Sequence, residues 1–158
     1  MDLFEKWLRR EEKSPLVRRA LTDLSSKNVG QNNLVDKDTN VELGTYGDAV
    51  IKLCFCELML DNVENITTEK EKYESDDYLA RYVAKHYKML DHLHFDKNDK
   101  QRPQDYGEGI SDEKLPDSYK YLATAVEAMI GAIYKETKRI KPIIKLLDTW
   151  MRFKEEDK

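Results

Sequence analysis

The sequence has little glycine and little proline, six and four residues in 158. That scarcity disfavours a turn-rich, all-β fold. Cysteine is nearly absent, with only Cys54 and Cys56 present. At i and i+2 of a helix these two point to different faces, so they are poorly placed to bridge or to share a metal. No CxxC or CxxH spacing suggests zinc, and both read as small buried hydrophobes. Long apolar runs are also missing, which argues against a membrane-spanning segment. The first residues, Met1-Asp2-Leu3-Phe4-Glu5-Lys6-Trp7-Leu8-Arg9-Arg10, lack the apolar block of a secretory signal and the acid-poor character of a transit peptide. They read as the start of a cytoplasmic protein. Nor is there net positive charge. The balance is −4, which neither demands nor excludes nucleic acid, because a mildly acidic chain can carry a basic face. Three patches are candidates: Arg9/Arg10/Lys13 with Arg18/Arg19, then Lys97/Lys100/Arg102, then Lys135/Lys138/Arg139/Lys141. Each alone also reads as a solvated face.

What is present suits a small all-α protein. Hydrophobic residues make up 40% and charged residues 37%, and the length fits one domain, 1–158, with room for a real core. Leu3, Phe4, Trp7 and Leu8 recur at helical spacing. Ser14-Pro15 is a helix start, with serine as N-cap and proline in the first turn, and the pattern then predicts a helix to about Ser26. Residues 27–40 are rich in Asn and Asp and read as a loop. From Val41 to Leu60 the chain is apolar nearly all round, the mark of a central helix. Gly44 and Gly47 inside it cost about 1 kcal/mol each against alanine, which makes sense if another backbone or a partner side chain must come close. Thr67 or Thr68 is the expected cap of a short helix, and Ser75-Asp76-Asp77 that of the next. Asp96 to Asp117 is the longest expected loop, and loops of that length are usually functional or disordered. A second apolar helix spans 118–135. A last one spans 138–153, with Pro142 in its first turn so that it begins near 141. Trp7 and Trp150 read as core anchors, His86, His92 and His94 as ring hydrogen-bonders, and the tyrosines at 73, 78, 82 and 87 as packing residues.

Two carboxylates stand out because each lies in an otherwise apolar, helix-compatible run. Asp48 is followed by Ala-Val-Ile-Lys-Leu-Cys-Phe-Cys, and Glu127 lies between Ala-Thr-Ala-Val and Ala-Met-Ile-Gly-Ala-Ile. An ionised carboxylate is costly to bury without a partner or a metal. Two acids embedded this way suggest a hard-cation site shared by two packed helices. The bland alternative is a helix-surface acid, or one paired with lysine or arginine.

The same segments carry a family resemblance. Ala20-Leu21-Thr22-Asp23-Leu24-Ser25 resembles the ALTHxS helix of ribonuclease III catalytic domains. Leu43-Gly44-Thr45-Tyr46-Gly47-Asp48-Ala49-Val50 resembles their LEFLGDAVL signature. Leu122 to Tyr134, LATAVEAMIGAIY, resembles LADxxEAxIGAIY, and Ser75-Asp76-Asp77-Tyr78-Leu79-Ala80 is a weaker match to S-N-x-x-L-A. The resemblance spans about residues 16–155 and does not include the family's double-stranded RNA-binding domain. It implies the all-helical ribonuclease III endonuclease-domain fold, working as a homodimer that cuts double-stranded or structured RNA with Mg²⁺, Mn²⁺ being a possible substitute. It also implies Asp48 and Glu127 as catalytic, metal-holding residues. The expected partners are RNA and a second copy of the chain, with neither a membrane nor an organic cofactor.

The chain also departs from the pattern. Gly44 stands where the family commonly has a glutamate, and Thr124 where it commonly has an aspartate. At i, i+4 and i, i+3 both missing acids would share the helix faces of the retained ones. Mg²⁺ often binds through one or two carboxylates plus waters and phosphate, and the Thr124 hydroxyl is placed to orient such a water. A similar thinning occurs in the Mini-ribonuclease III subgroup, which this chain resembles. Thr45 replaces a large apolar residue that the family uses at its dimer contact. Lys97, Lys100 and Arg102 in the 96–117 loop are the candidate RNA contacts. The rival expectation is a catalytically inactive ribonuclease III-like protein that binds RNA or a ribonucleoprotein as a scaffold.

Overall fold

The computed structural model describes residues 1–30, 33–107 and 114–157. Residues 31–32 of the expected Asn-rich loop and 108–113 of the expected 96–117 loop, Gly109 included, lie outside the described residues. The described helices are α1 (Leu3–Leu8), α2 (Pro15–Ala20), α3 (Val41–Met59), α4 (Ile66–Glu74), α5 (Asp76–Tyr78), α6 (Ala84–His86), α7 (Lys120–Thr137), α8 (Lys141–Trp150) and α9 (Phe153–Glu156). A wide π-type turn, Leu79–Val83, joins α5 to α6. Strand-like pairing among the described residues is one bridge, Thr22 to His94.

The two long apolar helices, α3 and α7, pack along each other through the centre, and the shorter elements surround them. Twelve residues of α7 are buried, from Tyr121 through Ile133, so it is the core helix. Its contact with α3 is set by two glycines. A Cβ on Gly47 would lie 1.6 Å from the carbonyl oxygen of Glu127, and one on Gly131 would lie 2.7 Å from the carbonyl oxygen of Leu43. The backbones therefore touch there, and the helical cost of glycine is offset by a helix approach that no larger residue permits. The expectation from sequence that Gly44 and Gly47 mark close approaches holds at both positions. Gly44 faces the Thr124 methyl, 3.0 Å from where its Cβ would stand.

The ends of the chain close over one side of this pair. Phe4 stacks on Tyr87 with ring centroids 4.3 Å apart and meets Trp150 edge-on at 5.7 Å. The Tyr87 hydroxyl donates to Asp2 at 2.6 Å and accepts from Trp150 Nε1 at 2.9 Å. On α8, Ile143, Leu146, Leu147 and Trp150 are buried at helical spacing, so Trp150 is the anchor its position suggested. Trp7 is buried as well.

Three local expectations change. The helix after Ser14 stops at Ala20 rather than near Ser26. Thr22 is drawn into the bridge with His94, and the Asp23 carboxylate accepts from the Ser25 amide at 2.9 Å, starting a 3₁₀ turn at Leu24. Short polar side chains compete with the helix in this way. The cap of α4 is Asn65, whose side chain accepts from the Thr68 amide, rather than Thr67 or Thr68. The last helix ends at Trp150, with α9 following as a separate turn. Ser14 and Ser75 cap as expected, accepting from Val17 and Tyr78 amides. Of the cysteines, Cys54 is buried, with burial pushing its thiol up to about 12, and Cys56 is half-buried.

Candidate active site

The α3–α7 contact places Asp48 beside Glu127. Asp48 follows Gly47, the residue that rests on the Glu127 carbonyl, so the approach that removes a Cβ also brings the two carboxyls together. They line one open cleft with Val41, Gly44, Thr45, Lys52 and Thr124, closed on its far side by Glu71, Glu74, Ser75 and Asp76 and at its end by Lys120. Both sequence-predicted acids thus sit in one place, contributed by two helices.

Their protonation differs. Glu127 is buried, with 8% of its surface exposed. Burial, then the hydrogen bond and charge of Asp48, with a smaller push from Asp76, drive its carboxyl up to about 9 against the pull of Lys52. Burial also works against Asp48, but hydrogen bonding from Lys52 and Glu127 and the charges of Lys52 and Lys70 hold it below its ordinary value. At neutral pH the pair is a carboxylate facing a carboxylic acid, the arrangement two crowded acids adopt without a cation.

A cation is nevertheless present in the form of Lys52. One helical turn after Asp48, its Nζ donates to both carboxylate oxygens, at 2.6 and 2.7 Å. Burial opposes the Lys52 charge, but Asp48, Glu74 and Glu127 together raise its pKa. With side chains 47% and 37% exposed, this pair is worth about 0.2–1 kcal/mol, which a divalent ion can displace. Lys52 received no role from the sequence analysis. Its i, i+4 spacing from Asp48 was the available signal.

Glu74 was missed altogether. Its side chain is 8% exposed; one oxygen accepts from Lys70 at 2.7 Å, and the other is buried without a partner. Nothing in the polar α4 sequence marks it, because its burial comes from docking against α3. Asp76 faces Lys120 at 3.6 Å. The Thr124 hydroxyl donates to the Lys120 carbonyl at 3.2 Å, so its proton is used within its own helix and only its lone pairs face the cleft. Gly44 and Thr124 form a coupled exchange: where two acids are usual, a missing side chain here makes room for a methyl.

The donor set suits one hard divalent ion. It consists of two oxygen ligands on adjoining helices, open space beside them, and an ammonium already seated against one. Among the described residues no three His, Cys, Asp or Glu side chains form a ligand cluster, so water and substrate oxygens would complete the shell.

The loop cations lie elsewhere. Arg102 donates to the buried Asp23 at 2.8 Å and lies over Tyr121, so its charge is spent holding the loop to the start of the 3₁₀ turn. Lys97 lines a separate cavity with His94, Arg18 and Glu11, and Lys100 is exposed. The structure does not bring Lys97, Lys100 or Arg102 to the walls of the Asp48–Glu127 cleft. His94 pairs with Glu11 and His86 stacks on Phe153, both as packing and hydrogen-bonding groups. No described helix is long and apolar enough to cross a membrane.

Comparison with known proteins agrees with this geometry. No curated protein sequence matches the chain. The crystal structure of the nuclease domain of ribonuclease III from Campylobacter jejuni superposes with a TM-score of 0.63 at 21% identity, over 98% of this chain and 92% of that one. It is similar in fold from end to end, including the region before α3 where the ALTDLS segment lies. The family profile described as Ribonuclease III domain matches residues 41–138, a span that contains both cleft-lining helices. This chain belongs to the ribonuclease III domain family.

Proposed function

We propose that this domain is a Mg²⁺-dependent endoribonuclease that hydrolyses double-stranded or structured RNA, acting as a cytoplasmic homodimer. The observation that carries the proposal is the meeting of Asp48 and Glu127 in one open cleft, in mutual contact and beside a cation. Mg²⁺ bound there would supply charge stabilisation at the scissile phosphate and a more acidic water. Asp48 and Glu127 would hold the ion, both as carboxylates. Thr124 offers hydroxyl lone pairs to water at the cleft edge. Duplex RNA is read by shape, through phosphates and 2′-hydroxyls across the minor groove, and the domain itself makes those contacts. Lys52 and Lys120 line the cleft, and Lys97 and Lys100 are available farther along the surface. Affinity for the duplex falls steeply with salt as counterions are released.

Dimerisation is supported by the outer face of α3. Tyr46, Leu53 and Leu60 recur at i, i+7 along one side of α3 and its C-cap, and all three are large hydrophobics left exposed; clustered exposure of this kind marks an interaction surface. Thr45 is exposed at the cleft edge next to Tyr46, whose ring supplies apolar area that a larger residue at 45 would have given.

Cleavage of a long RNA duplex in Mg²⁺ tests the proposal. The wild type is expected to cut, and Asp48→Asn and Glu127→Gln to lose about 100-fold or more in rate. Equal cutting by the variants would remove it. One observation favours a second reading, an RNA-binding scaffold without catalysis: Lys52 already neutralises Asp48. That reading predicts duplex binding that is unchanged in chelator and no cleavage at any metal concentration.

A further inference from the structure

Helices α3 and α7 bring fewer acids to the cleft than the family usually has, and α3 brings a lysine that answers to both of those they keep. Lys52 is bonded through Nζ to both oxygens of Asp48 and lies in the field of Glu127 and Glu74. We propose that Lys52 is a catalytic residue of this nuclease, a resident cation that guards Asp48 in the empty site and turns to the RNA phosphate when a single divalent ion takes its place. This inference rests on the reading of Asp48 and Glu127 as an ion site.

Charge counting supports it. Asp48 and Lys52 cancel in the empty cleft. A divalent ion held by Asp48 and Glu127 cancels those two carboxylates, which releases Lys52 from its bonded partner and leaves only the field of Glu74 on it, and a phosphodiester carries one negative charge to meet it. Phosphoryl transfer gains from positive charge at both the attacking and the leaving oxygen, a task that two-ion sites divide between their metals. Gly44 and Thr124 remove the ligands that a second ion would need, so a lysine on the same helix face is the available substitute. Lys120, the other cation on the cleft wall, already faces Asp76. Lys52 is free to move, since its head is half exposed on a flexible four-carbon stem and its bond to Asp48 is a surface ion pair.

The test compares wild type, Lys52→Met and Lys52→Arg by Mn²⁺ titration calorimetry and by single-turnover cleavage of a duplex RNA at saturating Mg²⁺. Lys52→Met is expected to bind Mn²⁺ about fivefold more tightly, because the competing ammonium is gone. It is also expected to cleave about 100-fold more slowly, with Lys52→Arg restoring much of the rate. Tighter metal with slower chemistry is a combination that misfolding does not produce. Mn²⁺ binding by the wild type with unchanged affinity or unchanged rate in Lys52→Met overturns the role of Lys52 and leaves the ion site standing. Absence of Mn²⁺ binding in all three proteins overturns both.

Discussion

Glu127 shows what pressing two acids together does to one residue. Its carboxyl is pushed up to about 9 by burial and by Asp48, against an ordinary value of 4.5 that it regains on unfolding. Between those values the folded protein keeps a proton that the unfolded chain has lost, so stability falls as pH rises. The contribution is complete below pH 4.5 and gone above pH 9. Glu127→Gln keeps the shape and removes the titration. Without divalent ions, it is expected to melt close to wild type at pH 5 and above it at pH 9; thermal melts across that range with chelator present check this. Asp48 and Glu127 were legible in the sequence because a carboxylate in an apolar run must have a partner. Lys52 was legible only as spacing, and Glu74 not at all, because its burial is created by the docking of α4. The pairing of Arg102 with Asp23 was not legible, because Asp23 lies far away in sequence, in a segment expected to be helix.

At the scale of elements, the contact between α3 and α7 both holds the fold and builds the site. Gly47→Ala drives a methyl into the Glu127 carbonyl, 1.6 Å from its oxygen. The helices must part, and the expected loss is about 3 kcal/mol, at the upper end for overpacking, measured by urea denaturation. A loss below about 0.5 kcal/mol would contradict the close crossing. The long helices were readable from their apolar periodicity, since α3 and α7 start and stop near the expected residues and α8 starts at the expected one. The short elements were not. The end of α2 depends on a bridge to His94, more than 70 residues away, and no local pattern carries that information.

The whole molecule leaves an apolar stripe on α3 uncovered, with Leu53 52% exposed at its middle. In the proposed homodimer that stripe is buried against a second copy, in the self-complementary manner of a two-fold contact. Leu53→Glu is expected to shift the protein from dimer to monomer in light scattering after size-exclusion chromatography, with a far-UV spectrum like that of wild type; a dimer unaffected by the change would move the contact elsewhere. Assembly was the least legible level in the sequence, because an apolar helix reads alike whether its outer face meets the core or a second chain. The most direct test of the site is a crystal soaked in Mn²⁺. The expected result is an anomalous peak between the carboxylates of Asp48 and Glu127 in each subunit, with Lys52 turned away from Asp48. A map with no peak there, and Lys52 still bonded to both Asp48 oxygens at saturating Mn²⁺, would contradict it.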